Sequence, residues 1–461
     1  MKYTFDAIVV GAGQAGPSLA VELANAGWKV AMVERELFGG TCVNTGCTPT
    51  KAMVASAHAA HLARRSSDFG VQAGPVTVDM RAVKARKDAI VLKSRTGVES
   101  WLRGTKNCVV FTGAASFASP HVMRVADDLL EAPQIFLNVG ERPTVPKMSG
   151  VESVPILTST TILDLDELPE HLVVIGGGYV GLEFAQMFRR FGSQVTVVDK
   201  KARLAQNEDE DASGVIDEIF RSEGIRVRLG ANCIHIEQRE GQVSAGLECD
   251  ESAPHVVGSH ILLAVGRTAN TEDLNLPVAG IEADDHGFIQ VDDQLRSSAP
   301  GIFALGDCNG RGAFTHTSYN DYEIVAANIL KGDPRRVSDR IPVHALFIDP
   351  PLARVGLSET EVRSRGIPAL IAVRPMTRIS RTIEKGETFG FIKILVHAKS
   401  HEILGATVFG SGGDEAIHCI VTAMYARQPA SLLARSVHIH PTVAELIPTV
   451  SGDLKPLTAN V

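Results

Sequence analysis

Two stretches of the chain spell out the same device, and few folds accommodate it twice. The first, "FDAIVVGAGQAGPSLAVELANAGWKVAMVERE" (5–36), runs apolar strand, glycine turn, amphipathic helix, apolar strand. Its glycines are Gly11, Gly13 and Gly16, and Glu34 closes the second strand. The second, "HLVVIGGGYVGLEFAQMFRRFGSQVTVVDK" (171–200), carries Gly176, Gly178, Gly181 and Asp199 with the same interval from first glycine to closing acid. The first glycine of each permits a tight turn, the second lets backbone approach a pyrophosphate, and the third allows close helix–strand packing. The helix N-terminus then faces the negative charge, and the acid is placed to accept hydrogen bonds from a ribose diol. A single glycine fingerprint is weak evidence and is often only structural. Duplication of the whole unit predicts two dinucleotide sites, hence an α/β chain with two Rossmann-like dinucleotide-binding domains.

Asp199 favours a free 2′-hydroxyl and repels a 2′-phosphate, so NADH is favoured over NADPH at the second site. Lys200, Lys201 and Arg203 follow at once; they either welcome a 2′-phosphate or are solvent-exposed loop charges. "HILLAVGRTAN" (260–270) and "SSAPGIFALGDCNG" (297–310) each read as a short strand ending in a glycine turn. In the second, Asp307 sits at a strand's carboxyl end, where α/β folds bind ligands. Alone it would be a cap or turn residue. Beside two fingerprints it is a candidate ligand to the sugar-like chain of the first dinucleotide.

The 461 residues leave room for about two to four domains. A net charge of −8 gives no overall basic field to attract nucleic acid or anionic membrane. The basic run Arg81–Lys87 lacks interleaved aromatics and reads as a solvated helix face. The acidic run Glu208–Asp211 reads as charges near a helix N-terminus. No apolar run approaches the roughly 20 residues that span a bilayer. The start, "MKYTFDAIVVGAG", is too short and glycine-rich for a signal peptide, so a cytoplasmic protein is expected. Of the seven cysteines, Cys108, Cys233, Cys249, Cys308 and Cys419 are scattered, as expected of buried free thiols in a reducing compartment.

Cys42 and Cys47 are different, forming a local pair in "FGGTCVNTGCTPTK" (38–51). The alanine-rich run after it is helical, with Thr48 expected as cap and Pro49 at the first helical position. Cys47 then stands just ahead of a helix N-terminus with Lys51 in the first turn, and both features stabilise a thiolate. Zinc would need four ligands, and no second Cys or His pair lies nearby at suitable spacing. Two unrelated core thiols are a further alternative. A redox disulfide beside the first dinucleotide accounts for the placement best. Near the C-terminus, "SVHIHPTVAELIPTV" sets His440 before Pro441, a candidate first helical residue, and Glu445 beyond it. A histidine held by a carboxylate is a general acid–base pair, which dithiol–disulfide exchange requires. His438 reads as structural, and a His-Pro at a helix start is by itself more often a cap.

With these pieces assembled, the chain resembles the class I pyridine nucleotide–disulfide oxidoreductases, which include dihydrolipoamide dehydrogenase, glutathione reductase and mercuric reductase. The motifs "GAGQAG", "GGTCVNTGCTPTK", "GGGYVGLEFA", "AVGRTAN", "GIFALGDC" and "HPTVAE" occur in the family's order over essentially the whole length. The resemblance implies FAD on the first fingerprint, with Gly40, Thr41, Lys51 and Asp307 beside it. It implies NAD(P)H on the second, with Gly266 near it and Glu183 of the same unit paired to Lys51. Cys42 would be the interchange thiol and Cys47 the thiol facing the flavin. A homodimer follows, His440 and Glu445 of one subunit completing the other's site. The expected domains are 1–145 with 271–340 for FAD, 146–270 for NAD(P), and an α+β dimerisation domain over 341–461.

Two departures stand out. Thr48 replaces the motif's usual apolar residue, and the tail "SGDLKPLTANV" lacks the cysteine pair of familiar mercuric reductases. The expected activity is FAD-dependent electron transfer from NAD(P)H to a small disulfide or dithiol substrate. Mercuric-reductase-like metal-ion or quinone reduction at the same dithiol, and a flavoprotein redox sensor, are the alternatives.

Overall fold

The computed structural model describes residues 1–231, 234–239, 242–247 and 255–458; Cys233 and Cys249 lie outside them. Each glycine unit becomes part of a parallel sheet. The first sheet runs in the order 302–304, 134–137, 7–10, 30–34 and 108–112, all neighbours parallel. Its central strand Ala7–Val10 is buried throughout, as a continuous apolar run with covered faces should be. The second sheet runs 156–158, 260–263, 171–175, 194–198 and 226–228, again all parallel. Strands Glu141–Pro143 and Arg267–Ala269 pair antiparallel and tie the two units together.

The C-terminal portion departs from this pattern. Strands Val343–Leu346, Leu352–Gly356, Ile403–Phe409, Phe391–His397, Ala369–Pro375 and Lys455–Pro456 form one antiparallel sheet. Helix Gly413–Tyr425 packs its buried residues Ile417, Ile420 and Ala423 into the same core as Ile392, Ile394 and Val408. This portion is α+β, in keeping with the expected fold class.

One hydrophobic core joins all three units. It takes Met53 and Ala57 from helix Cys47–Arg64, Phe184, Phe188 and Phe191 from helix Tyr179–Phe191, Leu346, Phe391 and Phe409 from the C-terminal sheet, and Ile348 from the loop after Leu346. Burying each of those large side chains contributes about 2 kcal/mol, so the cysteine-bearing helix is anchored on two sides. Polar ties follow the same seam. Arg190 is held by Glu223 at 2.7 Å and by Asp349, whose other partner is His58 at 2.6 Å. Although burial opposes it, hydrogen bonding from His58 and the charge of Arg190 hold the Asp349 carboxyl below its ordinary range.

The two charge runs are less solvated than their composition suggests. Lys87 is buried within the basic run, against Asp88. In the acidic run Glu210 and Asp211 do open helix Glu210–Ser222, but Glu208 and Asp209 are buried. Asp209 accepts from Thr360 N and Glu359 N at 3.0 Å each. It also pairs at 2.9 Å with Lys393, which is 1% exposed and contacts Asp211 and Glu359 as well. The scattered thiols divide likewise: Cys308 is buried, whereas Cys108 and Cys419 are half-buried.

Removing one partner of a buried ionic cluster leaves uncompensated charge, which typically costs about 3–5 kcal/mol. Lys393→Met is therefore expected to lower the unfolding free energy by about 3–5 kcal/mol, read from the denaturation midpoint in urea at an unchanged slope. An unchanged midpoint would mean that the three carboxylates are solvated without it.

Candidate active site at the cysteine pair

Backbone conformation delivers the two sulfurs. Gly39 and Gly40 take φ of 95° and 60°, a left-handed turn open chiefly to glycine, and start the short helix Gly40–Asn44 that carries Cys42. A Cβ on Gly40 would stand 2.7 Å from Gly13 Cα, so this turn lies directly on the first fingerprint. Helix Cys47–Arg64 then begins at Cys47, ahead of the start at Pro49 that a Thr48 cap predicts. Gly46 is the flanking residue, and its carbonyl accepts the first helical bond, from Thr50 N at 3.1 Å. Pro49 is thus third in the helix. Its missing N–H costs nothing there, since the first-turn donors have no intrahelical partner.

Both cysteines are free thiols, Cys42 half-buried and Cys47 exposed. The Cys47 thiol is lowered to about 6, first by the hydrogen bond from Cys42, then by the Thr315 hydroxyl and the Lys51 charge, with burial opposing. Donation to Cys47 together with burial pushes Cys42 far up. Both shifts favour Cys47 over Cys42 as the thiolate of the reduced pair. Lys51 is itself fixed: its Nζ lies 2.7 Å from Glu183 Oε2 and 4.6 Å from the centre of the Phe347 ring. Glu183 Oε1 accepts from Phe347 N at 3.0 Å.

The first fingerprint fits a dinucleotide. Gly11 has φ of 99°, and a Cβ there would meet Asn138 O at 2.3 Å; one on Gly16 would meet Gly11 O at 2.1 Å. Glu34 Oε2 accepts from Ala12 N at 2.7 Å, holding the acid against the turn. Thr41 Oγ1 donates to Glu141 O at 3.4 Å. Asp307 is half-buried in the short 3₁₀ turn Gly306–Asn309 after strand Ile302–Ala304, and its partial burial raises its carboxyl to about 6 despite nearby Arg267. This cradle of acids and close backbone would take FAD. The second fingerprint repeats the turn, with Gly176 at φ 115° and a Gly181 Cβ only 2.0 Å from Gly176 O. Asp199 accepts from Gly177 N at 2.5 Å and Lys201 N at 2.8 Å, while Lys200 and Lys201 point to solvent. Gly178 differs from its neighbours: a Cβ there meets nothing within 4 Å, and the same holds for Gly266. Those two positions have space that a ligand can enter.

His440 and Glu445 do pair, Nδ1 to Oε2 at 2.8 Å, with His440 74% exposed. Pro441 does not start a helix, however. Residues 440–445 form turns, and the helix spans Leu446–Gly452, so the pair rests on loop geometry. Among the described residues, no hydrogen bond or ion pair joins it to the cysteine loop of the same chain. His438 Nδ1 donates to Ala444 O at 2.7 Å, a structural bond as read. Two residues escaped the sequence reading. Thr315, whose Oγ1 is 3.2 Å from Cys47 Sγ, lies in no motif. Glu141 is buried beside Asp307, and burial with that like charge raises it to about 7; only its place after the strand Gln134–Leu137 could have suggested it.

Two dinucleotide cradles flanking a polarised thiol pair define a pyridine nucleotide- and flavin-dependent oxidoreductase acting on sulfur. The chain belongs to the pyridine nucleotide–disulphide oxidoreductase family, whose model matches residues 5–321, followed by the family's dimerisation domain over 343–451. It uses FAD and NAD(P)H, as the family does. Among curated relatives, the probable pyridine nucleotide-disulfide oxidoreductase RclA of Escherichia coli is 35% identical over 449 residues, covering 96% of this chain and 97% of its own. Mercuric reductase of Streptomyces lividans is 34% identical (96% and 94% covered), and dihydrolipoyl dehydrogenase of Geobacillus stearothermophilus 33% (96% and 94%). The solved Cu(II) complex of the HOCl-induced flavoprotein disulfide reductase RclA superposes with a TM-score of 0.89 at 33% identity, covering 98% of this chain and 99% of that one.

Two outcomes test this geometry. Gly178→Ala should leave thermal stability unchanged yet weaken nicotinamide dinucleotide binding at least about tenfold by blocking backbone approach, whereas Gly181→Val should destabilise the fold itself. Titration calorimetry beside thermal melts separates them. Because the lowered Cys47 is a thiolate above about pH 6 and a thiol below it, its alkylation by iodoacetamide should rise through that pH. A midpoint near the ordinary cysteine value of about 8.5 would contradict the assignment.

Proposed function

We propose that the protein reduces a small organic disulfide, with Cys42 as the attacking sulfur, Cys47 as the charged sulfur and the His440–Glu445 pair as acid–base. The placement of charge within the cysteine pair carries this reading. FAD, when bound, supplies the relay of an electron pair from the nicotinamide to the Cys42–Cys47 disulfide. The chain's own residues do the rest. Lys51, held by Glu183 and Phe347, keeps a fixed positive charge beside the reduced pair. Cys42 loses its proton as it attacks one sulfur of the substrate. The leaving thiolate takes up that proton, and the Cys47 thiolate then attacks Cys42 of the mixed disulfide, restoring the Cys42–Cys47 bond and releasing the second thiolate, which is protonated from solvent. The proton from Cys42 needs a base at each turnover. We assign this to His440 of the partner subunit in a homodimer, where Glu445 fixes the ring through Nδ1 and leaves Nε2 free to exchange the proton.

Exposure of His440 with Val437 and Ile439, at 97% and 79%, supports a second copy covering this loop. NADH is the preferred reductant on the strength of Asp199, which would repel a 2′-phosphate. Reduction of a soft metal ion is the second reading, favoured by the mercuric reductase relative and the Cu(II) complex of RclA. A panel of lipoamide, glutathione disulfide, Hg(II) and Cu(II), each with NADH and NADPH, ranks the two. His440→Gln should cut disulfide turnover by about 10²- to 10⁴-fold while leaving reduction of the Cys42–Cys47 pair by NADH intact. Unchanged disulfide turnover in that variant would favour metal-ion chemistry, which needs no base for a leaving thiol.

A further inference from the structure

Thr315 opens helix Thr315–Ala326, and its Oγ1 lies 3.2 Å from the Cys47 sulfur. Helix ends commonly fray, but this one is pinned on both sides. Phe314 N donates to Thr317 Oγ1 at 3.1 Å, and that hydroxyl donates back to Phe314 O at 2.7 Å. The Phe314 ring stacks on both His316 and His344, at centroid distances of 5.4 and 5.6 Å. His316 Nε2 donates to Val343 O at 2.7 Å. Further along, Asp321 accepts from Gly306 N at 2.8 Å and Asn309 Nδ2 at 2.9 Å, next to the Asp307 turn.

We propose that Thr315 is a catalytic residue: its hydroxyl donates a hydrogen bond to the Cys47 thiolate and so holds the negative charge of the reduced pair on Cys47 and the proton on Cys42. This rests on Cys47 being the charged sulfur, as assigned above. A hydroxyl donating to an anion forms a charge-assisted bond, about twice as strong as one between neutral groups. A neutral thiol is only a weak partner, so the bond distinguishes the two protonation states. The other groups facing Cys47 are Cys42, Lys51, Glu183 and Asp307. Cys42 and Lys51 favour the thiolate, while the two carboxylates oppose it. A neutral donor adds stabilisation without adding a charge that would also attract anions to the cleft.

The test uses reduced holoenzyme, with iodoacetamide alkylation followed separately at Cys42 and Cys47 by mass spectrometry across pH. Thr315→Val keeps the shape and removes the donor; Thr315→Ser keeps the donor. In Thr315→Val the Cys47 midpoint should rise by about one pH unit. Equilibration with a thiol–disulfide buffer should show the reduced pair about tenfold less favoured, or about 30 mV more negative. Thr315→Ser should remain within about twofold of wild type in that equilibrium. The proposal is overturned if Thr315→Val keeps the wild-type midpoint, or if Thr315→Ser is displaced as far as Thr315→Val, which would mark a packing effect. Should Thr315→Val fail to fold, Thr315→Ala read the same way decides it. If wild-type Cys47 alkylates like an ordinary thiol, the underlying charge assignment fails, and that outcome is visible before any variant is compared.

Discussion

Lys51 and Glu183 meet 2.7 Å apart across the boundary between the cysteine-bearing helix and the helix of the second dinucleotide unit. Glu183 is nearly buried and its second oxygen is bonded to Phe347 N, so the pair also reaches the C-terminal sheet. A half-exposed lysine would contribute little to stability through such a bridge. Its importance is positional. The charge beside Cys47 is fixed to three structural units at once, and the shared core of Met53, Phe184, Phe188 and Leu346 prevents those units from sliding relative to one another. Tuning of the sulfurs and packing of the whole molecule are therefore one constraint.

Local rules made the parallel sheets readable. Apolar strands, turn glycines and closing acids are consecutive in the chain, and so are the physical reasons for them. Cys42 and Cys47 were readable for the same reason: their glycine setting and the alanine-rich run after them report a thiol at a helix start. What failed was subtler. Thr48 and Pro49 look like a cap and a first helical residue, but Gly46 takes the flanking conformation and the helix starts at Cys47. Pro441 suggested a helix start that lies at Leu446 instead. Glu208 and Asp209 look like surface charge until Lys393, His344 and Arg354 arrive from distant strands.

The site residues missed by the sequence reading share a single cause. Thr315 is separated from Cys47 by more than half the chain, and Glu141 meets Asp307 only because the strand pair 141–143 and 267–269 closes over the cleft. Neither residue type is unusual where it stands. Their meaning comes from burial and from what lies opposite, and a one-dimensional pattern carries neither. Glu141 illustrates the point: a surface glutamate is unremarkable, but one buried beside a second carboxyl is held near neutral pH in its ionisation.

Placing the charge on Cys47 also has a consequence for the distant histidine motif. A thiolate that forms near pH 6 is a good leaving group and a weakened nucleophile, since nucleophilicity falls with pKa. Such a sulfur is suited to closing the internal disulfide and poorly suited to opening a foreign one. On the proposed division of labour, attack on substrate falls to Cys42, whose proton is held by burial and by its bond to Cys47. A thiol with a raised pKa has almost no thiolate population at neutral pH, so it needs a base at the moment of attack. On the proposed division of labour, the features that stabilise Cys47 create the requirement that His440, fixed by Glu445, would meet. Polarisation of one sulfur pair thereby links two motifs at opposite ends of the sequence.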